Sequence, residues 1–164
     1  MPVSLQIRID GLDEARRKIG NLSDEKRLFR GTVFFVKKRL EEGVDIISRE
    51  APKGPTRDLS NQIELVTSES GGTLEAEYIL ASKHTRFVVE GTGIFGPHRM
   101  PIRPRTAQFL QFFKEDKWIR AKQVRGQPPN EFLARSAQII RRRVITTVPI
   151  EFRRLINVTI AGVE

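Results

Sequence analysis

The chain has 164 residues, with 29 lysines and arginines against 20 aspartates and glutamates, a net charge of +9, and no cysteine. The missing cysteines exclude disulfides and thiolate metal sites, and the length suits one domain able to bury roughly 70% of its unfolded surface. No basic-then-apolar leader and no apolar run near 18 residues is present, so neither secretion nor a membrane span is expected. The charge is one-sided: residues 1–96 hold 15 basic and 15 acidic side chains, whereas residues 97–164 hold 14 and 5, which is the whole +9. Such a half points to an anionic neighbour (nucleic acid, an acidic partner surface or lipid headgroups) or to a well-solvated basic surface.

Val3, Leu5, Ile7 and Ile9 alternate with Ser4, Gln6, Arg8 and Asp10, the pattern of a half-buried strand, and Gly11 stops it. A short helix is predicted over about 12–19, closed by Gly20. Ser23 suits an N-cap with Asp24 and Glu25 in the first turn. Behind it Phe29, Val33, Val36, Leu40, Val44 and Ile47 form one apolar stripe on a long helix that Pro52 ends. After the loop 51–57 come two strand-like stretches, about 62–68 and 73–81, joined by Ser70-Gly71-Gly72 as a hairpin. Residues 86–90 suit a helical turn. Residues 91–106, rich in Gly, Pro and Arg, suit a long surface loop.

A second hairpin is predicted from about 108–113 and 117–124, turning at Glu115-Asp116. Asn130 can cap a last helix, where Leu133, Ala137, Ile140, Val144, Val148, Phe152 and Leu155 keep the helical period. Pro149 inside that pattern calls for a kink or break. The order of elements predicts a single α+β domain, an antiparallel sheet of about four to five strands packed against a long N-terminal helix and a C-terminal helix.

The chain offers little catalytic chemistry. Neither of its two histidines, His84 and His98, has a carboxylate at metal-motif spacing, and both suit surface loops. Glu90 has no positioned partner and reads as structural. No catalytic residue, cofactor or metal is expected. A nucleic-acid reading would use Arg99, Arg103, Arg105, Lys114, Lys117, Arg120, Lys122 and Arg125 with Phe109, Phe112, Phe113 and Trp118 interleaved, since cations can track a backbone while rings stack on bases. Aromatics in paired strands ordinarily fill a core, and that is the expectation here. Arg141-Arg142-Arg143 and Arg153-Arg154 suit a charged helix face.

Three spaced motifs carry a resemblance. The first runs from Ala51-Pro52 through Thr56 to Leu59; the second is Phe87-Val88-Val89-Glu90-Gly91-Thr92; the third is Gly126-Gln127-Pro128-Pro129-Asn130-Glu131-Phe132-Leu133. Together with Gly93–Pro97 and Pro101–Arg105 between the last two, their order resembles the small neck or tail-component family of long-tailed double-stranded DNA bacteriophages, the head–tail joining or tail-completion proteins. Arg57 follows Thr56 where the family usually has glycine. The resemblance implies a structural virion protein, not an enzyme. It would be made in the host cytoplasm and work as a ring at the portal–tail junction, against head-closure or portal proteins and tail-tube or tail-terminator proteins, with genomic DNA passing through and no membrane involved. Pro52, Thr56, Leu59, Glu90, Gly91, Thr92, Pro129, Phe132 and Leu133 would then be structural. The basic residues Arg99, Arg103, Arg105, Lys117, Arg120, Lys122 and Arg125 would face a subunit or the DNA channel. The other reading kept open is a basic nucleic-acid-binding module.

Overall fold

The computed structural model describes residues 2–19, 25–53, 58–70, 73–114 and 117–161. They form an α+β fold whose elements run β1 (Val3–Ile9), α1 (Leu12–Ile19), α2 (Glu25–Glu50), α3 (Asp58–Asn61), β2 (Ile63–Ser70), β3 (Thr73–Leu80), α4 (Thr85–Glu90), a 3-10 turn (Gly93–Phe95), β4 (Leu110–Lys114), β5 (Lys117–Ala121) and α5 (Phe132–Ala161). Two compact units result. One holds β1–β3, α1–α3 and α5; the other is made chiefly of Lys83–Glu131.

In the first unit β3 lies between β1 and β2, antiparallel to both. Period-2 alternation sends Leu74, Ala76, Tyr78 and Leu80 to one face, where all four are buried. Helix α2 covers this face. The Tyr78 hydroxyl donates to the Leu40 carbonyl at 2.6 Å, and Lys37 of α2 pairs with Glu69 of β2 at 3.5 Å. Close approach of sheet and helix depends on Gly43, because a Cβ there would lie 2.7 Å from Tyr78 Cζ and 3.0 Å from Ile140 Cδ1.

Helices α2 and α5 run antiparallel along each other. Arg135 meets Glu50 at 3.1 Å, Arg143 meets Glu42 at 3.7 Å, and Arg39 joins Glu42 (2.6 Å) and Glu151. Those carboxylates hold the Arg39 guanidinium above its usual range, the Glu151 hydrogen bond most of all. The buried residues of α2 are Leu28, Val33, Val36, Leu40, Ile46 and Ile47. The predicted stripe is therefore widened: Phe29 and Val44 are only half-buried, while Leu28 and Ile46 enter the core. Ser23 lies outside the described residues.

Several expectations are corrected. The strands form two sheets, of three and two strands, rather than one of four to five. Strand β4 starts at Leu110 and β5 stops at Ala121, because Val124 instead makes a bridge to Ile102. Of the kink or break expected at Pro149, the break does not occur, since helix α5 continues through it. Packing along α2 offsets the one amide hydrogen bond that proline removes, since tertiary burial rather than propensity sets most helix stability. On α5 the fully buried positions are Phe132, Ser136 and Ile140. Of the predicted stripe, Leu133, Ala137, Val144, Val148 and Phe152 are half-buried, and the Leu155 side chain lies outside those described. No helix among the described residues is long and apolar enough to cross a membrane.

Candidate assembly surface

The second unit is built on a backbone fastener between two of the sequence motifs. The Thr92 amide donates to the Gln127 carbonyl at 2.9 Å, and the Gln127 amide donates back to Thr92 Oγ1 at 3.0 Å. Flanking bonds run from Ile94 N to the Arg125 carbonyl (2.8 Å) and from Asn130 N to the Val88 carbonyl (2.9 Å). Two glycines permit this approach. Gly93 (φ 65°) and Gly126 (φ 88°) occupy the left-handed region, and a Cβ on Gly126 would sit 2.7 Å from Gly93 N. The motif residues thus shape the backbone. Glu90 is spent on Arg86, which donates to it at 2.9 Å on the same short helix.

The fastener anchors the segment that follows it. Residues 91–106 were expected as a surface loop, and their organisation is more definite than that. The segment makes a 3-10 turn, buries Gly91 and Gly96, and returns through reciprocal hydrogen bonds of 2.9 and 3.0 Å between Ile102 and Val124. A groove of about 630 Å³ opens along it, with Phe87, Met100 and Ile102 exposed and Arg86, Arg103 and Arg105 beside them.

All seven predicted interface cations, Arg99, Arg103, Arg105, Lys117, Arg120, Lys122 and Arg125, belong to this unit and are exposed. They do not form one cluster of equal character. Arg99 sits at φ 49° in the turn, Arg103 Nε donates to Gln123 Oε1 at 3.3 Å, and Lys117 and Arg120 lie on β5. Residues Lys83–Glu131 carry ten basic and four acidic side chains, a net of +6.

Of the predicted structural residues, Glu90, Gly91, Thr92 and Pro129 lie in the fastener, whereas Pro52, Leu59, Phe132 and Leu133 belong to the sheet-bearing unit. There Leu59 and Phe132 are buried and Pro52 and Leu133 half-buried. Thr56 lies outside the described residues. Both His84 and His98 are exposed, and among the described residues no three His, Cys, Asp or Glu side chains are grouped to hold a metal ion.

The hairpin corrects the expectation that its aromatics are core. Phe113 and Trp118 face each other across β4 and β5, edge to face with ring centroids 5.6 Å apart, and are 59% and 67% exposed. Gln111 and Arg120, the next pair on that side, are exposed too, while Phe112 and Ile119 on the other side are half-buried. The signal was present in the sequence: with a turn at 115–116, Phe113 and Trp118 share a face with Gln111 and Arg120, the polar side of the alternation. No family model, curated protein or solved structure matches the chain.

Proposed function

We propose that this chain is a structural subunit of the neck of a long-tailed double-stranded DNA bacteriophage, joining head to tail as one member of a ring. The observation that carries the reading is the fastener. Two of the three motifs behind the resemblance lie 35 residues apart, Thr92 against Gln127, and are spent on fixing backbone geometry. The segment they hold is cationic and bears exposed aromatic and aliphatic side chains, the composition that marks protein contact surfaces. In this reading the virion is its location. Its partners are further copies of itself, head-closure or portal proteins above and tail-tube or tail-terminator proteins below, with genomic DNA passing through.

A second reading, a basic nucleic-acid-binding module, is favoured by one observation: exposed Trp118 and Phe113 stand beside Arg120, as a base-stacking platform would. Light scattering across protein concentration and salt, with and without a short duplex and a single-stranded oligonucleotide, separates the two. Conversion of monomer to a defined closed species, indifferent to nucleic acid, is expected for the neck subunit. A chain that never assembles but binds oligonucleotide with a steep loss at higher salt would overturn it.

A further inference from the structure

One face of the three-stranded sheet is covered by α2; among the described residues, the side chains of the other face are exposed or half-buried. On this face stand Asp10, Glu64, Glu75 and Glu77 against one cation among the described residues of the strands, Arg8, which already donates to Asp10 at 2.9 Å and lies 3.9 Å from Glu75. In a chain of net charge +9 this is an acidic surface, a net of −3. It is also not flat. A depression of about 270 Å³ crosses the three strands, with Val66 (45% exposed) at its apolar part and Gln6, Arg8, Glu75 and Glu77 around it. The β4–β5 hairpin presents the complement: an exposed ring pair, Phe113 and Trp118, with the Arg120 guanidinium one residue pair away.

We propose that the hairpin face of one copy docks on the acidic sheet face of the next, Trp118 entering the depression beside Val66 and Arg120 reaching Glu77 or Glu75. Two features favour a second copy as occupant. The charges are complementary, +6 on the donor unit against −3 on the acceptor face. The aromatic pair also meets a hollow of mixed lining in which Val66 offers exposed apolar surface and Arg8 a guanidinium against which an indole can stack. Using two different patches, the contact is head-to-tail and can propagate to a closed ring. It rests on the ring reading above, for which it names the surfaces. Two five-residue strands cover only about 17 Å by 10 Å, well below the roughly 800 Å² per partner of a standard interface. Each contact is therefore weak, salt-sensitive and visible only at high concentration or within a closed ring.

The chain contains no cysteine and one tryptophan, which gives two clean readouts. Single variants Gln6→Cys and Gln111→Cys, mixed under mild oxidation, are expected to yield a crosslinked heterodimer at low salt, reduced in high salt and absent when either variant is used alone. Trp118 emission in the wild-type protein is expected to shift blue with concentration. Glu75→Lys with Glu77→Lys should abolish that shift and weaken association about tenfold or more, as should Trp118→Ala by scattering. Adding Arg120→Glu to the lysine pair should restore part of it. Circular dichroism identifies any variant that fails to fold, and Trp118→Phe then serves as the milder substitution.

Defined oligomers without the mixed crosslink, or oligomers unaffected by the lysine pair, would overturn this docking while leaving the ring reading intact. A wild-type protein that stays monomeric at every concentration and salt would overturn both. Quenching of Trp118 by single-stranded oligonucleotide in a monomeric protein would assign the face to nucleic acid instead.

Discussion

Tyr78 is the residue on which the sheet and its helix meet. It is fully buried, its hydroxyl donates to the Leu40 carbonyl, and burial pushes its phenol above the ordinary range near 10. Folding thus favours the neutral phenol. The stabilisation is fully present below pH 10 and is lost as pH rises from there toward the folded value. As the only tyrosine in the chain, Tyr78 can be titrated by absorbance at 295 nm. Ionisation is expected above the normal range and together with loss of circular dichroism; a reversible transition near pH 10 with the fold intact would refute this. Its neighbour Gly43 gives a second prediction. Alanine there gains about 1 kcal/mol of helix propensity, but its Cβ would meet Tyr78 Cζ at 2.7 Å in a closed core. Overpacking costs about 1–3 kcal/mol. Gly43→Ala is therefore expected to lower the melting midpoint by several degrees, an effect absent if the helix can slide away.

Among the elements, α5 holds the clearest conflict between local rule and tertiary context. Pro149 has no amide hydrogen, so the Ile145 carbonyl loses its helical donor. Thr146 and Thr147 add hydroxyl bonds back to Arg142 and Arg143 one turn earlier. Pro149 is itself exposed. Pro149→Ala should recover part of the roughly 3 kcal/mol that an interior proline costs, raising the midpoint in a thermal melt. A lower midpoint would show that the helix depends on the proline's geometry. The same helix shows why legibility is uneven. Its extent and the stripe through Ile140 follow from 3.6-residue periodicity, as do α2 from its own stripe and β1 from strict alternation. The passage through Pro149 could not be read, because it depends on packing along α2 that no local window contains. Splitting of the strands into two sheets was hidden for a like reason: hairpins announce their own turns, but nothing local says which hairpins join. At the candidate surface, the seven cations were legible as surface because charge is rarely buried. The mutual fastening of Thr92 with Gln127 was not, since contacts 35 residues apart leave no periodic trace.

At the scale of the whole molecule, the charge asymmetry acquires a structural address. The excess that appears as a property of residues 97–164 is divided between the loop–hairpin unit, net +6, and the rest of the chain, net +3. The arginines of α5 that contribute to the sequence asymmetry are partly neutralised: Arg135 by Glu50 and Arg143 by Glu42. Among the described residues, the groove that Arg103 and Arg105 flank is lined by one carboxylate, Glu90, and that one is held by Arg86. Their charge therefore acts outward, on whatever approaches the groove. Both are exposed, so reversing them removes no core contact, and surface substitutions of this kind usually change stability by less than about 0.5 kcal/mol. Assembly should respond differently. Four units of charge change at a contact surface turn attraction for an anionic neighbour into repulsion, an effect strongest at low salt, where the screening length is about 30 Å at 0.01 M against about 8 Å at 0.15 M. Arg103→Glu with Arg105→Glu is expected to leave the melting midpoint within a degree or two of wild type and to block formation of the closed species seen by light scattering, with partial recovery as salt is raised. Normal assembly of that double variant at low salt would remove the groove from the contact and leave the hairpin as the part of this unit that carries it.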